Sequence, residues 1–325
     1  MLVVLALSGS VYQALGVAAD RRKFPAPGRM VDIGGRRLHL LESGAGGPTV
    51  ILEAGISASC LNWTAIQNEL AGFTRVCSYD RASLGWSEAA ATPRQASHLV
   101  AELHALLIAA QIPGPYILAG HSFGGMLARG YAAKYPGEVV GLVLVDPLGA
   151  GDWASPSEEQ SRMLRRGVRL ARRGALLARL GVVRCSLALL AGGGRRIPKL
   201  VARVSSGSGE SVVSRLVGEV RKMPRETWPM IQAHWCQPKS FLGMSGHLEA
   251  LPESCAEAAE CGDAPPVPMI ILSAATSTTA QLAERDALAL RSHGKHIVVK
   301  GGHWIHLDEP GLVVQAIREI MSRGL

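Results

Sequence analysis

The pentapeptide Gly120-His121-Ser122-Phe123-Gly124 sets one hydroxyl between two glycines, the pattern of a nucleophile carried on a sharp turn. A serine hydroxyl is a weak nucleophile until a base takes its proton. The chemistry therefore calls for a histidine, and for an acid to fix that histidine's tautomer. The flanks suit the turn. Tyr116-Ile117-Leu118-Ala119 reads as a buried strand, and Met126 to Tyr135 carries Ala, Leu and Tyr at helical spacing before Pro136. Strand, turn and helix lift the hydroxyl out of a sheet, and the glycines let two backbones pass closely. The helix also brings unpaired N–H groups and its positive dipole end beside the reacting oxygen.

Among ten histidines, His303 in Gly301-Gly302-His303-Trp304 follows the last predicted strand and is the expected base. His306 is its nearest rival. His121 adjoins Ser122, but neighbours on a sharp turn point apart, so a packing role is expected. For the acid, the turn after the strand predicted at 267–272 is the first place to look. It reads Ser273-Ala274-Ala275-Thr276-Ser277-Thr278-Thr279, with no carboxylate. Asp146, beside Pro147 at the end of the strand after the elbow unit, lies on the same sheet edge and is the expected acid. Asp286 or Glu284 is the alternative. A tetrahedral oxyanion needs preorganised donors. The backbone N–H groups of Ile56, after Gly55, and of Phe123 are assigned to it, and the Ser57 hydroxyl is a substitute for the first.

The elements that must position these groups alternate. A hairpin is predicted over residues 31–41, then strands at 48–56 and 76–79 with a helix at 62–71 between them. A helix at 98–110 and the elbow unit follow, then a strand at 139–145. The alternation resumes with a strand at 267–272, a helix at 280–292, a strand at 296–300 and a helix at 310–322. This rhythm predicts an α/β fold, a mainly parallel sheet with helices on both faces. The core is expected at 30–148 and 265–325. Residues 149–264 break the rhythm and read as a helical lid inserted over the sheet's carboxyl edge, where ligands bind in such folds.

Composition bounds the function classes. The 325 residues are 48% hydrophobic and 18% charged, which excludes a disordered chain. The formal charge is +8, but residues 151–226 hold 16 Lys/Arg against 6 Asp/Glu, a net of +10, leaving −2 elsewhere. No nucleic-acid motif accompanies the basic block, so no nucleic-acid partner is expected. Residues 163–183 read as a basic amphipathic helix suited to an anionic surface or to the active-site mouth. Residues 1–19 carry no charged side chain and precede Arg21-Arg22-Lys23. Three readings are open to them: a membrane anchor, an export signal cut after Val17-Ala18-Ala19, or an ordinary helix of a cytoplasmic protein. The six cysteines (Cys60, Cys77, Cys185, Cys236, Cys255, Cys261) show no metal-ligand spacing, and Cys255 with Cys261 is a disulfide candidate.

The chain resembles the α/β-hydrolase fold superfamily. The carrying residues are the Gly120–Gly124 elbow, the Glu53-Ala54-Gly55-Ile56 turn, the stretch Asp80-Arg81-Ala82-Ser83-Leu84-Gly85-Trp86-Ser87, and Gly302-His303. The order Ser122, Asp146, His303 agrees with that superfamily's nucleophile, acid, histidine order. Two departures stand out: the acid-free turn at 273–279, and Ser83 where related sequences often have Gly. A Ser nucleophile separates this chain from the dehalogenases and epoxide hydrolases of the fold, which use Asp. The resemblance implies a carboxylesterase-like serine hydrolase acting on a small acyl substrate through an acyl-enzyme, with no cofactor and no metal. Amide, thioester or carbon–carbon hydrolysis, perhydrolysis on the same residues, and a non-catalytic binding role are the alternatives.

Overall fold

A computed structural model describes residues 2–90, 94–191, 220–260 and 267–323. Eight strands form one sheet: β1 Arg29–Asp32, β2 Arg37–Ser43, β3 Thr49–Glu53, β4 Val76–Tyr79, β5 Tyr116–His121, β6 Val139–Val145, β7 Met269–Ala274 and β8 Lys295–Val299. Their order is β1-β2-β4-β3-β5-β6-β7-β8. β2 pairs antiparallel with both β1 and β4, and the remaining pairs, from β4–β3 to β7–β8, are parallel.

The continuous apolar runs of β3, β5, β6 and β7 follow from burial on both faces. Ile51, Leu118, Leu142, Leu144 and Ile271 point to one core, beside the helices α3 Ala96–Ala109 and α4 Phe123–Lys134. Their alternates Val50, Leu52, Ile117, Ala119, Val143, Val145 and Ile270 point to the other. That second core is closed by α2 Thr64–Leu70 and by the C-terminal helix Pro310–Arg323. Period-two alternation in a fully buried strand thus feeds two separate layers.

Between β6 and β7 lie α5 Glu158–Arg179, α6 Val182–Ala191, α7 Trp228–Trp235, α8 Pro238–Glu249 and α9 Leu251–Glu260. Ser157 caps α5 reciprocally with Gln160. The single helix expected over 163–183 is instead two. Gly181 stands at φ +71°, a left-handed residue that ends the first helix and redirects the chain. Helix α8 packs onto the loop after β4: Lys239 Nζ donates to the carbonyls of Gly85 at 2.8 Å and Ser87 at 2.5 Å. Its Gly243 leaves room for Ser83. Ser83 itself adopts φ +74°, so a serine here takes the left-handed backbone that glycine adopts freely.

Helix α4 begins at Phe123, three residues before the predicted start, because Gly124 must lie inside it. A Cβ at Gly124 would stand 2.3 Å from the Glu53 carbonyl. The N-terminal helix α1 Leu2–Lys23 is long and apolar enough, by length and composition, to cross a membrane. Cys255 is a buried free thiol lying 3.9 Å from the Met126 sulfur, and its expected partner Cys261 lies outside the described residues.

Candidate active site

Ser122 sits between β5 and α4 with φ +55° and ψ −119°. That conformation is costly for a residue with a Cβ, and the surroundings over-determine it. Ser122 N–H donates to Val145 O at 2.9 Å, and its carbonyl accepts from Gly125 and Leu148 at 3.0 Å each. A Cβ at Gly120 would stand 2.4 Å from the Gly124 carbonyl, so the strand and helix cross where only glycine fits. Two more non-glycine residues with left-handed backbones, Ser57 at φ +60° and Asp146 at φ +43°, follow β3 and β6. All three lie at the carboxyl edge of the sheet.

Asp146 and His303 meet there. The Asp146 Oδ2 to His303 Nδ1 distance is 2.5 Å. Asp146 Oδ1 accepts from Ala274 N at 3.0 Å, Ser277 Oγ at 3.0 Å and Arg285 Nη1 at 2.7 Å. Burial alone would push the Asp146 carboxyl up. The His303 bond, the Ala274 N–H and the Arg285 guanidinium together hold it well below the usual carboxylate range. A carboxylate that accepts the Nδ1 proton leaves Nε2 as the basic nitrogen of His303. Ser122, Asp146 and His303 line one cavity of about 220 Å³, with Asp152, Ser277 and Gln281 on its polar wall.

The alternatives expected from sequence lie elsewhere. Asp286 Oδ1 pairs with His296 Nδ1 at 2.6 Å, not with His303. Glu284 approaches Gly149 and lines a different cavity with Arg129 and Arg291. Consecutive residues of a helix differ by about 100° in direction, so within α10 Thr279–Arg291 Arg285 reaches the site while Asp286 turns away. His306 is buried against the rings of Trp63 and His121, outside that cavity. Burial pushes its imidazole well below the ordinary range. His121 packs, as expected. Burial lowers it to about 3, and as a neutral ring its Nε2 donates to the His303 carbonyl at 2.9 Å.

Three supporting groups were invisible to spacing arguments. Arg285 also donates to Ser273 Oγ at 3.1 Å and Pro147 O at 2.7 Å, and its side chain is nearly buried. The acid-free turn at 273–279 thus supplies one hydroxyl donor, Ser277 Oγ, to the carboxylate that follows the neighbouring strand. Arg81 bonds the Glu53 carboxylate and the carbonyls of Ala54 and Gly55, and Glu53 also accepts from Tyr79. This buried network braces the turn that carries Ile56. Ser57 Oγ beside it is buried without a hydrogen-bond partner.

His39, Cys60 and Asp80 bring ligand-type atoms within 4.8 Å of one another. Those atoms are already engaged. His39 Nδ1 is 2.8 Å from Asp80 Oδ2 and its Nε2 is 2.6 Å from Pro27 O. Burial opposes a charge on His39, while the Asp80 carboxylate and the Pro27 carbonyl raise its pKa. Asp80 also accepts from Cys60 N and Trp86 N, which pins the loop beneath α8.

Arg285→Gln is expected to cost about 2–3 kcal/mol at neutral pH, because it removes a charged bond from a buried carboxylate. The depressed Asp146 pKa stabilises the fold above the ordinary carboxylate value of about 4, and that contribution fades as pH falls through the depressed value. Losing Arg285 makes the pKa less depressed. The deficit should therefore be full at neutral pH and narrow only in strong acid, well below the ordinary carboxylate value, as urea unfolding at neutral pH and at the lowest pH where the fold persists would measure. An equal deficit at both would contradict this account.

Residues 44–316 match the Alpha/beta hydrolase family. Among curated proteins, the uncharacterized protein YqjL of Bacillus subtilis is 35% identical over 112 residues, 34% of this chain and 44% of that protein. The 2-hydroxy-6-oxo-2,4-heptadienoate hydrolase of Pseudomonas putida is 33% identical over 129 residues, 38% of this chain and 45% of that protein. In both cases the chain spans less than half the length of the relative. Among solved structures, a putative lipase of Acinetobacter baumannii superposes with a TM-score of 0.64 at 17% identity, covering 94% of this chain and 95% of that one. A likeness at that identity speaks for the fold.

Proposed function

The chain belongs to the Alpha/beta hydrolase family, and from that premise we propose that it is a serine hydrolase that cleaves a carboxylic ester or related acyl bond. The observation that carries the reading is the joint placement of Ser122, on its strained elbow, and the bonded His303–Asp146 pair around one cavity. In this mechanism Ser122 Oγ attacks the carbonyl carbon while His303 Nε2 takes its proton. Asp146 orients the ring and stabilises the imidazolium. The N–H groups of Ile56 and Phe123 receive the oxyanion, with Ser57 Oγ as a further donor. His303 then protonates the leaving alcohol, and water, deprotonated by the same nitrogen, releases the acid from the acyl-enzyme.

The helices between β6 and β7 act as a lid on this reading, with α8 seated on the loop after β4. The polar wall of the cavity supports a substrate with hydrogen-bonding groups beside its scissile bond rather than a plain alkyl ester. Amide, thioester or carbon–carbon hydrolysis by the same residues is the second reading, supported by the similarity to the 2-hydroxy-6-oxo-2,4-heptadienoate hydrolase of Pseudomonas putida.

A fluorophosphonate probe followed by peptide mapping tests the nucleophile. Stoichiometric label on Ser122, together with turnover in a series of acyl esters of varied length and polarity, is the expected result. A folded protein that takes no label and turns over no acyl substrate would leave a binding role in its place.

A further inference from the structure

Helix α1 is apolar on most of its circumference and exposes aliphatic side chains that a protein in water would bury. Positions 9, 13, 16 and 20 fall on one helical face, and that face meets protein. A Cβ at Gly9 would stand 2.2 Å from the Leu180 carbonyl, and one at Gly16 would stand 2.5 Å from Arg184 Nε. Gln13, only 5% exposed, donates to Cys236 O at 2.7 Å and accepts from Arg184 Nε at 3.0 Å. Asp20 pairs with Arg184 at 2.7 Å. Val4, Leu7, Val11 and Leu15 repeat the same spacing on the opposite face and are 58–66% exposed. A surface helix normally buries its apolar stripe and shows its polar one. Here the residues of α1 that meet protein are Gly9, Gln13, Gly16 and Asp20, while Val4, Leu5, Leu7, Val11 and Leu15 are exposed.

We infer that α1 is an in-plane membrane-docking helix. It is clasped to the helices between β6 and β7 through Gln13, Asp20 and Arg184, and it lays Val4, Leu7, Val11 and Leu15 into the acyl boundary of an anionic bilayer. Charge selects lipid as the occupant. Arg21, Arg22 and Lys23 are exposed where the apolar stripe ends. Helix α5, which α1 touches, exposes Arg162, Arg165, Arg169, Arg173 and Arg179. Anionic headgroups complement basic side chains at the end of an apolar stripe. The clasp selects the in-plane orientation. A span perpendicular to the bilayer would carry Gly9 and Gln13 to mid-membrane and strip Arg184, whose side chain is largely buried, of its partners. The inference goes beyond the hydrolase reading and holds whatever Ser122 does.

Co-flotation of the full chain with phosphatidylcholine vesicles, with and without an equimolar share of phosphatidylglycerol, tests it. The protein should float with both, several-fold more with the anionic lipid. Val4→Asp/Leu7→Asp/Val11→Asp should lower the partition coefficient by more than about 100-fold, since three side chains leave the lipid, while unfolding remains cooperative. Failure to float, or flotation unaffected by the triple substitution, would overturn docking. Depth of nitroxide labels at Val4→Cys and Leu15→Cys, in a Cys185→Ser/Cys261→Ser background, tests orientation. Equal shallow depths are expected. A separation of about 16 Å, the rise of eleven helical residues, would overturn the in-plane arrangement.

Discussion

Ser122→Ala is expected to lower kcat by roughly 10⁵- to 10⁶-fold and to abolish fluorophosphonate labelling, while changing the unfolding midpoint little. The size follows from covalent catalysis: without the nucleophile, the histidine and the acid have nothing to activate, and only binding and oxyanion stabilisation remain. The small stability effect follows from where the elbow is held. Its bonds run through the Ser122 backbone N–H and carbonyl, and the backbone crossings occur at Gly120 and Gly124. The hydroxyl is no part of that scaffold. Steady-state kinetics on the best ester from the substrate series, beside a urea melt, measures both. A variant that keeps a tenth of parental turnover would remove Ser122 from the mechanism and leave the acyl-enzyme without a carrier.

Asp146→Asn is expected to lower kcat by about 10⁴-fold at neutral pH, with KM changed far less. An amide in this position presents an N–H where His303 needs an acceptor, so the imidazole takes the tautomer that protonates Nε2 and blocks proton uptake from Ser122. The substitution also acts on the fold. Arg285 loses its carboxylate in a site where its side chain is 7% exposed, and breaking a buried pair from one side costs on the order of 3–5 kcal/mol. Rate and stability are therefore measured together, at a temperature well below the variant's transition. Arg285→Gln separates them. It removes the buried cation but leaves the Asp146–His303 bond, so its stability loss should come with a much smaller rate loss than that of Asp146→Asn. A near-parental rate for Asp146→Asn would send the acid role to another carboxylate. Asp286 is poorly placed to take it, being bonded to His296.

The two variants probe a substitution of parts between neighbouring strands. The superfamily resemblance makes the turn after β7 the first place to expect the acid. On the proposed reading it follows β6, and from the end of β7 and the turn after it the Ala274 N–H and the Ser277 hydroxyl both bond Asp146. The His303 bond, the Ala274 N–H and the Arg285 charge together favour the ionised form of a carboxylate with 6% side-chain exposure. Ser273 joins the arrangement from both sides, accepting from Arg285 and lying 2.7 Å from His296 Nε2.

Much of this was legible in the chain itself. Alternating strand and helix signals determined an α/β architecture, because a strand buried on both faces needs an unbroken apolar run and a covering helix needs a spaced one. Residues 76–79 and 139–145 formed strands where periodicity put them. The glycines at 120 and 124 marked the elbow, since no other residue fits where its backbones cross. What sequence left open were choices between groups of equal type. Asp146, Glu284 and Asp286 are all carboxylates near predicted sheet-edge elements, and only the direction each leaves its element decides which one meets His303. The braces Arg81 and Arg285 were silent for the same reason: a buried arginine reads like a surface one until its partners assemble. Helix α1 is the sharpest case. Its composition said apolar, but its sense, with Gly9, Gln13, Gly16 and Asp20 inward and Leu7 outward, is fixed by contacts with residues more than 160 positions away along the chain. Local propensity sets which elements form. Which face of each is satisfied by protein, and which is left for another medium, is settled only when the rest of the molecule packs against it.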